Sequence, residues 1–204
     1  MRRGSLLVLV GLLLLGVSLM AETGQISGEA RLLRFPDVSK DKIAFIYGGD
    51  IYTAPRAGGA ATRLTSHEGL EFFPKFSPDG SMIAFGGQYD GDMSVYTIPI
   101  TGGQPKRLTY HPGIANTSER FGPDKVVMGW TRDGKVFYRS RENAISWWEG
   151  RVYTVDTSGG ISEPLPMPSA GFTSFSPDGK KVAYCPNYRD FRTWKRYKGG
   201  MAQD

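Results

Sequence analysis

Short apolar runs recur along the chain, each entered through a cluster of turn residues. The runs are Ile43-Ala44-Phe45, Met82-Ile83-Ala84-Phe85, Val136-Phe137-Tyr138 and Val182-Ala183-Tyr184. The turns before them are Ser39-Lys40-Asp41-Lys42, Ser77-Pro78-Asp79-Gly80, Thr131-Arg132-Asp133-Gly134 and Ser176-Pro177-Asp178-Gly179. Phe-Ser-Pro-Asp-Gly itself occurs twice, at Phe76–Gly80 and Phe175–Gly179. Apolar runs of this length between turn signals predict buried strands. Proline sets φ for the first central turn position, aspartate bonds the local backbone, and glycine accepts the exit conformation. Pro78, Asp79, Gly80, Pro177, Asp178 and Gly179 are therefore read as structural turn residues.

The pattern is an internal repeat. Ile51-Tyr52-Thr53, Gly58-Gly59, Arg63-Leu64-Thr65, His67 and Gly69 each recur 44 residues later, as Val95-Tyr96-Thr97, Gly102-Gly103, Arg107-Leu108-Thr109, His111 and Gly113. Val152-Tyr153-Thr154 and Gly159-Gly160 lie a further 57 residues on. The 13 extra residues divide into nine between Thr109 and Val136 and four between Tyr138 and Val152. Each unit reads as four strands: an approach strand such as Phe73–Phe76, the run Ile83–Phe85, an alternating strand Met93–Ile98, and a polar outer strand Lys106–Thr109. A period of this length with four short strands predicts an all-β chain, a β-propeller of four-stranded antiparallel blades. A lone blade has two apolar faces and must stack on neighbours. Blades fall at about 31–69, 70–113, 114–171 and 172–204, the last incomplete. About three and a half blades do not close a ring, so the chain is expected to be a fragment of a longer protein.

Composition sharpens this in three ways. The 27 glycines and 13 prolines suit a turn-dense all-β chain. The first 21 residues read as a signal peptide: Arg2-Arg3, then the apolar stretch Leu6–Met20, then Ala21. An uncleaved anchor is the alternative reading of that stretch. Residues 22–30 form a linker. Without Arg2 and Arg3 the net charge of +5 falls to +3, too mild to call for nucleic acid as a partner. The expected location is periplasmic or secreted, with the membrane met only through the export signal. The single cysteine, Cys185, sits in an apolar strand and reads as a buried thiol.

Candidate chemistry is sparse. His67 and His111 occupy equivalent repeat positions, which argues for a loop role in each blade rather than one catalytic base. No Gly-x-Ser-x-Gly elbow occurs, and no catalytic residue is assigned. Asp90-Gly91-Asp92 offers two carboxylates but lacks calcium-loop spacing and falls where a turn is needed. No metal or cofactor site is assigned. Tyr188–Lys198 interleaves aromatic and basic residues. Arg189, Arg192, Trp194, Lys195, Arg196 and Tyr197 are the candidate peptide or domain contacts, through bidentate carboxylate pairing or aromatic packing. Trp147-Trp148 is a similar candidate contact.

The Phe-Ser-Pro-Asp-Gly, Ile-Tyr and Gly-Gly-x-x-x-Arg-Leu-Thr pattern resembles propellers of the TolB type and of tricorn proteases. Leu33–Ser39 leading into Ile43-Ala44-Phe45, Arg63–Gly69 and above all Phe191–Asp204 resemble the N-terminal propeller of a tricorn protease. The resemblance covers nearly all of Glu29–Asp204. It implies the first three blades and part of the fourth of a six-bladed propeller in a large serine peptidase. That propeller would filter or guide peptides to a catalytic domain farther along the polypeptide. Implied partners are peptides, the rest of the polypeptide and further copies of the full-length protein. Two alternatives remain: a stand-alone TolB-like periplasmic protein-binding propeller, and the propeller of a prolyl-oligopeptidase-type enzyme.

Overall fold

The apolar runs fold into antiparallel sheets, each built from consecutive strands; the run Val182–Tyr184, expected to be buried, is exposed, and Cys185 beside it is only half-buried. The computed structural model describes residues 32–112, 122–144 and 149–186. The leader, the linker, Trp147-Trp148 and the aromatic-basic segment from Tyr188 onward lie outside the described residues. So do parts of both insertions between repeats.

Blade 1 comprises β1 (Arg34–Val38), β2 (Lys42–Tyr47), β3 (Asp50–Pro55) and β4 (Thr62–Arg63). Blade 2 comprises β5 (Glu71–Phe76), β6 (Met82–Gly87), β7 (Ser94–Pro99) and β8 (Lys106–Arg107). Blade 3 comprises β9 (Val126–Trp130), β10 (Val136–Ser140), β11 (Arg151–Val155) and β12 (Glu163–Pro164). A two-stranded sheet follows, β13 (Thr173–Phe175) and β14 (Val182–Tyr184). The first strands pack successively, β1 on β5, β5 on β9 and β9 on β13, so they are the inner strands of a propeller.

The period of two in each strand divides its side chains between two neighbours. Ile83 and Phe85 of β6, with Tyr96 and Ile98 of β7, join Ala44, Ile46 and Ile51 of blade 1 in one core. Ala84 and Val95, from the opposite face of the same strands, join Val127, Val136, Tyr138 and Tyr153 of blade 3. Phe137, Val152, Met167 and Ala170 form a third core against Phe175. The hydrophobic core is therefore a set of layers between blades. Each fully buried Phe or Ile contributes on the order of 1.5–3 kcal/mol, and only the stacked array collects it.

The repeat fixes hydrogen bonds as well as packing. The N–H groups of Leu64, Leu108 and Leu165 donate to the carbonyls of Ile51, Val95 and Val152, each at 2.8 Å. Arg63 and Arg107 both turn back, Nε donating to the carbonyls of Thr65 and Thr109 at 2.9 and 2.7 Å. The outer strands are shorter than the sequence suggests. β8 ends at Arg107 because Thr109 leaves the strand, and its hydroxyl accepts the Val95 N–H at 2.9 Å.

The register shifts in the inner strands of the three complete blades. In the first two blades the bulge places Phe35 and Phe73 at φ +51° and +50°, a sterically costly region for a large side chain. Their rings meet at 4.1 Å between centroids. Just past the first bulge, Asp37 accepts from Lys75 Nζ at 3.1 Å and from the Phe76 N–H at 2.8 Å, tying blade 1 to blade 2.

Candidate binding surface at the blade junctions

The Ser-Pro-Asp-Gly turns show why their aspartates are structural. Asp79 Oδ1 accepts from Ser77 Oγ at 2.6 Å and the Ser81 N–H at 3.1 Å, and Oδ2 from Ser81 Oγ at 2.7 Å. These bonds favour the ionised form and lower Asp79 to about 2. Asp178 accepts from Ser176 Oγ at 2.5 Å and the Lys180 N–H at 3.1 Å and is lowered for the same reason. Gly80 and Gly179 take φ of +73° and +71°, the exit conformation a side chain disfavours. Pro78 and Pro177 precede these aspartates in their turns.

Two clusters of polar residues join the blades. At the first junction Glu71, only 1% exposed, accepts from Thr65 Oγ1 at 2.5 Å and the Ile51 N–H at 2.9 Å, both in blade 1. Its other oxygen accepts from the Tyr89 hydroxyl of blade 2. Burial raises the Glu71 pKa against these bonds, and burial with the Glu71 carboxylate raises that of Tyr89. Asp50 completes the cluster, accepting from Arg63 at 2.5 Å and the His67 N–H at 3.1 Å.

At the second junction the same positions hold different chemistry. Ser94 stands where Asp50 stands, Lys125 where Glu71 stands and Glu142 where Tyr89 stands. Lacking an aspartate at 94, Arg107 pairs with Asp90 at 2.9 Å and Asp92 at 3.5 Å across the β6–β7 turn. The Asp90-Gly91-Asp92 carboxylates thus face a guanidinium. No cluster of three metal-ligating side chains exists among the described residues. Lys125 Nζ is fully buried, lies 3.6 Å from Asp124 Oδ2 and has no hydrogen-bond acceptor.

The two histidines reach across successive junctions to equivalent places. His67 lies against Tyr89, the ring centroids 4.0 Å apart and the planes tilted by 36°. His111 Nε2 lies 3.4 Å from Glu142 Oε1. His67 Nδ1 accepts the Gly69 N–H at 2.8 Å. Neither histidine faces a serine or cysteine nucleophile among the described hydrogen bonds.

Between the blades lie grooves. One of about 420 Å³ joins His67, Tyr89, Tyr96 and Arg107. Burial pushes Tyr96 up to about 12, with Arg107 opposing and Asp90 reinforcing the shift. A second, of about 720 Å³, lies between blades 2 and 3 on the face that carries the Ser-Pro-Asp-Gly turns. A third, of about 560 Å³, lies between blade 3 and the β13–β14 sheet. Trp130 and Phe175, at equivalent ends of β9 and β13, line the second and third. The equivalent Phe76 is 9% exposed and belongs to the core.

The sequence did not single out Glu71, Tyr89, Trp130 or Lys125. The available signal was the recurring Thr65 and Thr109, whose hydroxyls both serve a strand N–H. The candidate contacts Arg189, Arg192, Trp194, Lys195, Arg196 and Tyr197 lie outside the described residues.

Comparison with known proteins places this geometry. The tricorn protease N-terminal beta propeller domain matches residues 30–204. Tricorn protease homolog 1 of Streptomyces coelicolor is 33% identical over 170 residues, which cover 83% of this chain and 15% of that protein. The crystal structure of the tricorn protease superposes with a TM-score of 0.71 at 25% identity, over 84% of this chain and 17% of that one. TolB from Acinetobacter baumannii superposes with a TM-score of 0.57 at 26% identity, over 71% of this chain and 35% of that one.

Proposed function

This chain belongs to the tricorn protease N-terminal β-propeller family, and we propose that it is the non-catalytic propeller part of an exported tricorn-like serine protease. In this reading it guides or filters peptides, and hydrolysis belongs to a catalytic domain elsewhere in the protein. The observation that carries the reading is the match to a protease's N-terminal propeller over residues 30–204. The chain spans 15% of the length of the Streptomyces relative, so the activity of such a protein is inferred for the whole and not for this part. The polar groups described support a structural role. Both histidines are engaged at blade junctions, and the turn aspartates are engaged by their own turns.

The 204-residue chain, purified and incubated with a mixed peptide library, is expected to leave it intact. A serine-reactive fluorophosphonate probe should label a tricorn-like protease that carries a catalytic domain and not this chain. Efficient peptide cleavage by the chain would sink the proposal. A reading frame that closes the propeller and then stops would favour a stand-alone protein-binding propeller, the reading supported by the superposition on TolB.

A further inference from the structure

We propose that the groove between blades 2 and 3 binds the basic side chain of an extended peptide, an arginine or lysine beside an apolar residue. This goes beyond the function proposed above: the site is on one face of the propeller and needs no peptidase. The cavity, about 720 Å³, is the right size for two or three residues. Trp130 supplies an aromatic surface, with Pro78, Met82 and Pro99 beside it. The indole is held in place, since its Nε1–H donates to the Lys75 carbonyl at 2.9 Å.

Two carboxylates flank this surface. Asp79 comes from the β5–β6 turn of blade 2 and Asp133 from the equivalent β9–β10 turn of blade 3, so the repeat supplies one from each blade that lines the groove. Hydrogen bonds within the turns keep both in the ionised form, through Ser77 and Ser81 for Asp79 and through Thr131 for Asp133. Neither takes part in a described salt bridge. The groove's own cations are Lys106 and Arg132. Lys106 Nζ is engaged by the Thr157 and Ser158 carbonyls at 2.8 and 3.1 Å. Arg132 is exposed and in no described ion pair. A fixed indole in a groove that also holds two ionised carboxylates matches a cation that stacks on the ring while its charge meets a carboxylate. The proline and methionine wall suits an apolar neighbour in the same peptide. The next groove repeats the set, with Phe175, Asp133 and Asp178 in its lining. Phenylalanine holds cations less well than tryptophan, so occupancy there should be weaker.

The test uses the 204-residue chain, labelled with ¹⁵N, and acetyl-Pro-Arg-Leu-amide. Its glutamate and norleucine counterparts serve as controls. The expected result is a saturable shift of the Trp130 indole N–H resonance with the arginine peptide. Affinity should be at least about tenfold weaker for either control and should fall as salt rises. The double variant D79N/D133N keeps turn-forming residues and should weaken arginine-peptide binding about tenfold. Equal binding of the glutamate peptide, an unchanged affinity in the double variant, or no saturation at about 10 mM peptide would overturn the proposal. If the double variant loses the wild-type spectrum, the three peptides on the wild-type chain decide alone.

Discussion

Glu71 offers the most direct test of how the blades are joined. Alanine at this position removes the acceptor for three donors drawn from two blades: the Ile51 N–H, the Thr65 hydroxyl and the Tyr89 hydroxyl. The Ile51 N–H keeps Thr65 Oγ1 as a second acceptor at 2.8 Å, so its loss is partial. The Tyr89 hydroxyl loses its carboxylate partner. A hydrogen bond to a charged group contributes roughly 1.5–3 kcal/mol, and the relief of a buried carboxylate offsets part of this. Glu71→Ala should therefore cost about 3 kcal/mol. Glutamine keeps an oxygen for Ile51 and Thr65 and turns its amide to the Tyr89 oxygen, so Glu71→Gln should stay within about 1 kcal/mol of wild type. Urea unfolding of the 204-residue chain, followed by far-UV circular dichroism, reads both. A pH series adds a signed test. Burial raises the folded pKa of Glu71 above its ordinary 4.5, so on raising the pH the unfolded chain releases this proton first. Wild type should lose stability relative to the glutamine variant as pH climbs from about 4.5 through the raised value, with no difference in slope below about 4.5 or well above the raised value. An alanine variant within about 0.5 kcal/mol of wild type would refute the reasoning. A wild-type advantage that grows with pH would refute it as well.

Three further outcomes are expected. Gly69→Ala would set its Cβ 1.9 Å from the Gln88 carbonyl oxygen, and Gln88 is held by its N–H bond to the Leu70 carbonyl. A loss of at least about 3 kcal/mol, or no folded protein, should appear in thermal melts; a mild effect would mean the junction is plastic. Lys125→Met replaces a buried ammonium that has no hydrogen-bond acceptor. It should be neutral or stabilising by about 1 kcal/mol in urea titrations, and a large loss would show that the Asp124 contact matters more than its 3.6 Å suggests. Asp79→Ala should destabilise the chain at neutral pH and more than Asp79→Asn does. Because the folded pKa of Asp79 is depressed to about 2, this contribution is complete above 3.8 and fades as pH falls toward 2, which acid titration of the melting temperature can follow.

Much of the scaffold was legible because it repeats. The turn pentapeptides, the apolar runs and the glycine pairs place the strands to within a residue or two, from Ile83–Phe85 inside β6 to Lys106-Arg107 as β8. What repeats in sequence also repeats in hydrogen bonding, as Leu64, Leu108 and Leu165 show. The junction residues were hidden for the opposite reason. Glu71, Tyr89 and Trp130 act on partners in the next blade, and their repeat counterparts are chemically different, so no internal match marks them. The bulges were hidden as well. A phenylalanine before proline reads as extended chain, and Phe35 and Phe73 instead take positive φ because the adjoining blades hold them there.

These differences between repeats give the array its order. A blade that matched every other blade could stack on any of them, since the apolar layers differ little in chemistry. The polar positions remove that freedom. If the inner strand of blade 3 docked on blade 1, Lys125 would replace Glu71 beside the Ile51 N–H and the Thr65 hydroxyl. The Thr65 hydroxyl would then lose the carboxylate it donates to. That mispairing leaves a buried donor without its acceptor, at a cost of about 1–3 kcal/mol, comparable to a buried core side chain. The same departures open the surface. Phe76 is sealed into the first core, whereas Trp130 at the same repeat position lines a groove that also holds two ionised turn aspartates. The repeat builds the walls, and the residues that break it decide which blades meet and where a ligand can enter.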